Sequence, residues 1–238
     1  MSMRSTLKVL SAVLLIGATA GLALRETASA ADRGVTLPAP ALDNQKAPGQ
    51  AQSIVLSGGC FWGVQGVFEH VRGVRRVVAG YAGGARDSAH YETVGLGNTG
   101  HAESVQVSFD PSQVSLGEIL QVFFSVVHDP TQVNRQGPDV GTQYRSEIFY
   151  SDAEQRKLAE SYIAQLNEAH AFSRPIATRV DPLPGFYAAE DYHQDFLQHN
   201  PNYPYIVYND LPKIENLKRL FPAEYTSEPV LLSNVAAR

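Results

Sequence analysis

A two-layer α+β domain is predicted from three observations: short β-type apolar runs, apolar stretches at helical spacing, and the interleaving of the two along the chain. The chain has 238 residues, 44% hydrophobic and 18% charged, a composition that suits one ordinary globular domain. Ile54-Val55-Leu56 is the first strand-like run, and Gly58-Gly59 breaks it. Phe61, Val64, Val67, Phe68 and Val71 then recur at helical spacing. Further strands are predicted at residues 74–81, 103–109, 145–150 and 176–181. In the second of these, Glu103, Val105, Val107 and Phe109 alternate with Ser104, Gln106 and Ser108, which puts Glu103 on the apolar face. Helices are predicted to start at Ser115 with Glu118 and at Ser151 with Glu154, each a capping-box spacing ahead of an apolar-periodic stretch. The block around His193 reads as a helix.

The ends of the chain differ from its middle. Arg4 and Lys8 precede an apolar run at residues 9–24, and Ala28-Ser29-Ala30 supplies small residues for cleavage, so residues 1–30 read as a secretory signal peptide. The run is about 16 residues long, short for a membrane span of roughly 20; an uncleaved N-terminal anchor is the alternative. No cysteine follows the run, which argues against a lipid anchor. Removing residues 1–30 takes a net charge of +2 from the formal −5 and leaves −7, which argues against nucleic acid as a partner. It also removes Met1 and Met3, the only methionines. Residues 31–52, with Pro38, Pro40 and Pro48 and no apolar period, read as a disordered lead-in. Residues 53–222 form the expected domain and 223–238 a C-terminal tail. Export, to a periplasm in a bacterium, is the expected localisation.

Exported proteins use cysteines mostly in pairs, yet Cys60 stands alone and cannot form an internal disulfide. It is either an inert packed side chain or a reactive thiol. Its position, where a strand turns into the N-terminus of a helix, favours the second reading. Unsatisfied backbone N–H groups and the helix dipole favour a thiolate there, lowering a thiol pKa from its usual value of about 8.5. Phe61 and Trp62, the only tryptophan, put apolar surface beside the sulfur. A strand, turn and cysteine of this kind would also suit a thiol peroxidase or a cysteine hydrolase.

At Gly58-Gly59-Cys60-Phe61-Trp62-Gly63 the chain resembles the A-type peptide methionine sulfoxide reductases. The likeness continues at residues 80–84 (GYAGG), 100–103 (GHAE), 128–132 (HDPTQ), 139–146 (DVGTQYRS) and 189–194 (AEDYHQ), blocks in order across residues 53–222. The resemblance implies a ferredoxin-like core with long coil extensions, in which residues 201–222, with Tyr203-Pro204-Tyr205 and a short helix near residues 213–220, wrap the domain as a packing arm. It implies reduction of the S epimer of methionine sulfoxide, in proteins or free, with Cys60 as nucleophile. Thiol attack on the sulfoxide sulfur leaves negative charge growing on its oxygen, so that oxygen needs donors. By resemblance these are Glu103 as general acid and the phenols of Tyr91 and Tyr144, with Phe61 and Trp62 holding the S-methyl group. A carboxyl group can serve as acid near neutral pH only where burial raises its pKa. Asp139 is implied to shape the pocket by hydrogen bonds near Tyr144, and His193 to contact the substrate backbone.

For most of these residues a plainer reading stands beside the implied one. A glutamate is more often a solvated strand-edge group, most tyrosines are ordinary packing residues, and His193 could be a surface histidine. The seven His and one Cys show no ligand spacing, so no metal is expected, and no bound cofactor. The product is methionine and a Cys60 sulfenic acid. Residues 222–238 lack the resolving cysteines that many relatives carry there, so an external thiol, small or on a thioredoxin-like or glutaredoxin-like protein, is the expected reductant. Oxidised proteins and peptides are the expected substrates, no membrane contact is expected after signal cleavage, and the expected state is a monomer. The rivals are an exported single-cysteine thiol peroxidase and an exported binding module with an inert Cys60. A second departure from the family, residues 87–90 (DSAH) before Tyr91, affects a loop only.

Overall fold

The computed structural model describes residues 34–235, so the predicted signal peptide lies outside the described residues. Strand β1 (Gln52–Gly58) is followed by α1 (Phe61–Glu69), β2 (Val74–Ala82), the short α2 (Tyr91–Val94) and β3 (Ala102–Phe109). Helix α3 (Leu116–Val122) runs on through a π turn, Phe123–Val127, before the small hairpin β4 (Arg135–Gln136) and β5 (Asp139–Val140). Then come β6 (Ser146–Tyr150), α4 (Ala153–Glu168), β7 (Arg179–Pro182) and β8 (Phe186–Ala188). The short α5 (Phe196–His199), α6 (Leu211–Leu220) and α7 (Leu232–Val235) complete the chain.

The main sheet has the order β7-β6-β1-β3-β2-β8. Strand β1 runs antiparallel to β3 and β6, and β3 antiparallel to β2. Two β-α-β units, β1-α1-β2 and β3-α3-β6, are therefore split and interleaved, which is the ferredoxin-like arrangement that the resemblance implied. Central strand β1 serves two apolar faces. Ile54 and Leu56 join the main core with the helices, whereas Val55 packs with Ala82, Ala102 and Phe149 on the other side.

Local signals explain several boundaries. Ser115 accepts the Glu118 N–H at 3.1 Å while Glu118 accepts the Ser115 N–H at 2.8 Å, the predicted capping box of α3. The start of α4 differs from expectation: Asp152, not Ser151, is the cap, its carboxylate accepting the N–H groups of Glu154 and Gln155 at 2.9 Å. A carboxylate one residue on outcompetes the serine, being a charged acceptor at the positive end of the helix. The strand expected at 176–181 is confined to β7, and the block around His193 is a single turn, Asp191–His193, rather than a helix.

Residues 34–51 carry no regular element, yet they are not a loose lead-in. Leu37 is 4% exposed and packs in the main core. The Val35 N–H donates to the Ser125 carbonyl at 2.8 Å, Gln121 donates to the Leu37 carbonyl at 2.8 Å, and the Tyr162 hydroxyl donates to the Pro38 carbonyl at 2.8 Å. Asp43 accepts the Gly117 N–H at 2.8 Å at the N-terminus of α3. Helix side chains thus satisfy a proline-rich backbone that cannot pair with itself, and one leucine anchors it. The tail is similarly held: Thr226 N–H donates to the His70 carbonyl, and Asp195 accepts the Leu232 and Ser233 N–H groups at 3.0 and 3.1 Å. Among the described residues no helix is long and apolar enough to cross a membrane.

Candidate active site

Cys60 sits at the N-cap of α1, directly after Gly59, whose φ of +96° is open to glycine at little cost. Gly63, one turn into the helix, has a different task. A Cβ there would lie 2.0 Å from Asp210 Oδ1, so only glycine lets Asp210 come down onto the helix beside the cysteine. Cys60, Phe61, Trp62, Tyr91, Glu103, Asp139, Tyr144, Tyr203 and Tyr205 line one cavity of about 220 Å³. That is room for a side-chain end rather than a drug-sized molecule. Seven of the eight residues singled out from sequence are therefore brought together from β1-α1, α2, β3 and the segment from β5 to Tyr144.

The eighth, His193, is not. It is 2% exposed and lies behind the wall, accepting the Trp62 indole N–H on Nδ1 at 3.1 Å, with its ring 4.3 Å from that of Tyr91 and 5.1 Å from that of Phe61. Burial lowers its pKa, so it is a neutral acceptor that orients Trp62 and does not itself line the cavity. Asp139 lines the cavity together with Tyr144, whose phenol pKa its charge helps to raise, and the hydrogen bond it accepts comes from Tyr205.

Glu103 is 4% exposed, and its Oε2 accepts the Phe61 N–H at 3.0 Å, which ties the carboxyl group to the residue after the cysteine. Burial pushes its pKa up to about 8, aided by the charges of Asp139 and Asp210 and opposed by the Phe61 N–H. At neutral pH it is predominantly a neutral acid, as the chemistry requires. Burial also raises Tyr91, to about 12, and raises Tyr144, leaving both as phenol donors. The cysteine departs from expectation. Burial first, then the Glu103 and Asp210 charges, raise the Cys60 thiol well above the usual range; a backbone hydrogen bond from Trp62 opposes this without winning. Desolvation above all, with the acidic groups beside the sulfur, outweighs one helix end, so the resting thiol is protonated.

Sequence reasoning missed five supporting residues. Tyr203 and Tyr205, in the segment read as a packing arm, enter the cavity wall and stand edge-on to Trp62 at 6.1 and 5.9 Å, while Phe196 stacks on it at 3.9 Å. Glu190 accepts both the Tyr91 N–H at 3.0 Å and the Tyr81 hydroxyl at 2.8 Å, fixing the loop that carries Tyr91. Asp210 is fully buried, bonded to Lys213 Nζ at 3.0 Å. The tyrosine pair Tyr203-Pro204-Tyr205 was the available signal; nothing local marks Glu190 or Asp210. A larger cavity of about 720 Å³ lies away from Cys60, and its charged lining is internally paired, Arg145 with Glu147 and Arg179 with Asp181. Among the described residues no group of three or more His, Cys, Asp or Glu could hold a metal ion.

A ferredoxin-like core that presents a lone thiol and a neutral carboxyl group to one aromatic cavity defines a thiol-dependent oxidoreductase. The model of the family described as peptide methionine sulfoxide reductase matches residues 52–225. The chain is 59% identical over 191 residues to peptide methionine sulfoxide reductase MsrA 2 of Mesorhizobium japonicum, covering 80% of this chain and 97% of that one. It is 53% identical over 170 residues to the protein of the same name from Synechocystis, covering 71% and 79%. Among solved structures, methionine sulfoxide reductase A of Corynebacterium diphtheriae is 36% identical with a TM-score of 0.55, covering 70% of this chain and 84% of that one. Reduced Mxr1 of Saccharomyces cerevisiae is 34% identical with a TM-score of 0.58, covering 68% and 92%. The chain belongs to the peptide methionine sulfoxide reductase family, and this membership gives no support to the thiol peroxidase alternative.

Proposed function

We propose that the chain reduces the S epimer of methionine sulfoxide, in oxidised proteins and free, to methionine through a sulfenic acid on Cys60 that an external thiol then reduces. The observation that carries this is the placing of Cys60 and a neutral Glu103 on one cavity with two phenol donors and two aromatic walls. The sulfoxide oxygen faces Glu103, Tyr91 and Tyr144, and the S-methyl group rests between Phe61 and Trp62. As Sγ attacks the sulfoxide sulfur, Glu103 gives its proton to the oxygen and the carboxylate so formed takes the thiol proton. The raised thiol pKa fits this exchange, because neither group ionises in advance of the other. The net step moves one oxygen atom: sulfoxide and thiol become thioether and sulfenic acid.

The sequence contains no second cysteine to resolve the sulfenic acid, which supports an external thiol, on a small molecule or a thioredoxin-like or glutaredoxin-like protein. The proposal includes export, on the signal pattern in residues 1–30, and a monomeric state; N-terminal sequencing of the cell-fraction product and light scattering test these. The decisive experiment is a single turnover without reductant. It should yield up to one methionine per chain from the S epimer and a trappable sulfenic acid at Cys60, and Cys60→Ser should yield none. Turnover of the R epimer alone would refute the reading.

A further inference from the structure

Cys60 lines a second cavity as well as the first. This one, about 50 Å³, is bounded by Val127, Gln136 to Asp139, Tyr205, Asn209, Pro212 and Lys213. The two cavities share Cys60, Asp139 and Tyr205, and the hydrogen bond from the Tyr205 hydroxyl to Asp139 is their common wall. The first also holds Glu103, Tyr91 and Tyr144; the second holds none of these three and opens instead between the exposed loop at Gly137-Pro138 and the start of α6. Its size is several times the roughly 10–15 Å³ that one water needs, enough for a methylene and a sulfur and too little for a bulky molecule.

We infer that this second cavity is the port through which the reducing thiol reaches Cys60. The inference rests on the sulfenic acid proposed above. After sulfoxide reduction the new oxygen on Sγ lies in the first cavity, beside Glu103 and the phenols that held it. Displacement at divalent sulfur puts the incoming sulfur and the leaving oxygen roughly in line, so the reductant needs access from another side of Sγ. The port offers that access without displacing the oxygen from its donors. The S–O bond of the sulfenic acid breaks, an S–S bond forms, and the hydroxide leaves as water with the proton that the thiol gives up. A second thiol then releases Cys60 and carries away the disulfide, so two thiols are oxidised for each sulfenic acid reduced. The occupant is the CH₂–SH end of a thiol, whether on a small molecule or on a protein.

Asn209→Phe and Pro138→Phe narrow the port from its two sides, and the second changes an exposed loop residue with little risk to folding. The sulfenic acid is formed by one turnover, and its decay is followed with 2-mercaptoethanol in one arm and reduced thioredoxin in the other. The expected result is a methionine burst of normal rate and amplitude in both variants, with decay slowed about tenfold or more in at least one arm. The slowed arm identifies the source of the thiol. Decay at the native rate in both arms and both variants would overturn the port. If the unaltered chain gives no methionine burst, the sulfoxide reading fails instead; the sulfenic acid is then made with hydrogen peroxide and the same two arms still decide the port.

Discussion

Glu103→Gln separates the chemical role of this residue from its effect on stability, and the two should move in opposite directions. The wild-type carboxyl group has its pKa raised from 4.5 to about 8 in the folded chain, chiefly by burial. A group raised in this way contributes stability that is fully present below the unfolded value and is lost as pH climbs toward the folded one. At about 1.4 kcal/mol per pH unit, folding loses about 3 kcal/mol between pH 4.5 and 7, and about 5 kcal/mol once pH passes about 9. Glutamine cannot ionise, and its amide oxygen can still accept the Phe61 N–H now held at 3.0 Å. Urea unfolding at pH 5, 7 and 9 should show the variant gaining on wild type by these amounts as pH rises, since other buried carboxyl groups contribute equally to both chains. Single-turnover methionine formation should meanwhile fall by about 10²- to 10⁴-fold, because the proton donor is gone. Parallel stability curves for the two chains, or turnover at the wild-type rate, would refute the assignment of a buried, neutral acid to Glu103.

Other outcomes follow from the same geometry. Single-turnover rate should be level from pH 6 to 7.5 and decline above about pH 8 as Glu103 ionises, a limb that a pH–rate series in Glu103→Gln should lack. Tyr205→Phe removes the donor to Asp139 and should raise the KM for methionine sulfoxide about tenfold while leaving the burst amplitude near one, read by steady-state and burst kinetics. Leu37→Ala should cost about 2–4 kcal/mol in urea unfolding, where a loose lead-in would give no change.

What was legible in the sequence was local or periodic. The capping box at Ser115 and Glu118 closes within one turn of helix, and the alternation from Glu103 to Phe109 follows from the two faces of a strand. Both needed no knowledge of distant residues. Where two local signals competed, as with Ser151 and Asp152, spacing alone chose the wrong cap. The lead-in was misjudged because its one anchor, Leu37, gives no period, and its backbone partners lie on helices some 80 to 125 residues further on. The thiol was misjudged for a related reason. Helix position can be read locally, but desolvation and the approach of Asp210 across 150 positions of sequence cannot.

The site is also distributed in a way that ties chemistry to completion of the fold. Cys60 and Phe61 belong to the first unit of the core, yet the ring of Trp62 next to them is fixed only by Phe196, Tyr203 and Tyr205 and by His193 behind it. Tyr91 depends on Glu190, and the wall between the two cavities depends on Tyr205. A chain ending before residue 189 would retain Cys60, Glu103 and all four strands of the ferredoxin-like core, but not the rings of Tyr203 and Tyr205 that complete the cavity wall. It would also leave Cys60 without Asp210 and the rings that help to desolvate it, which removes part of what holds the thiol protonated. The C-terminal segment therefore does more than cover the core: it completes the aromatic wall of the cavity, and through Asp210 it helps to hold an isolated cysteine in the thiol form.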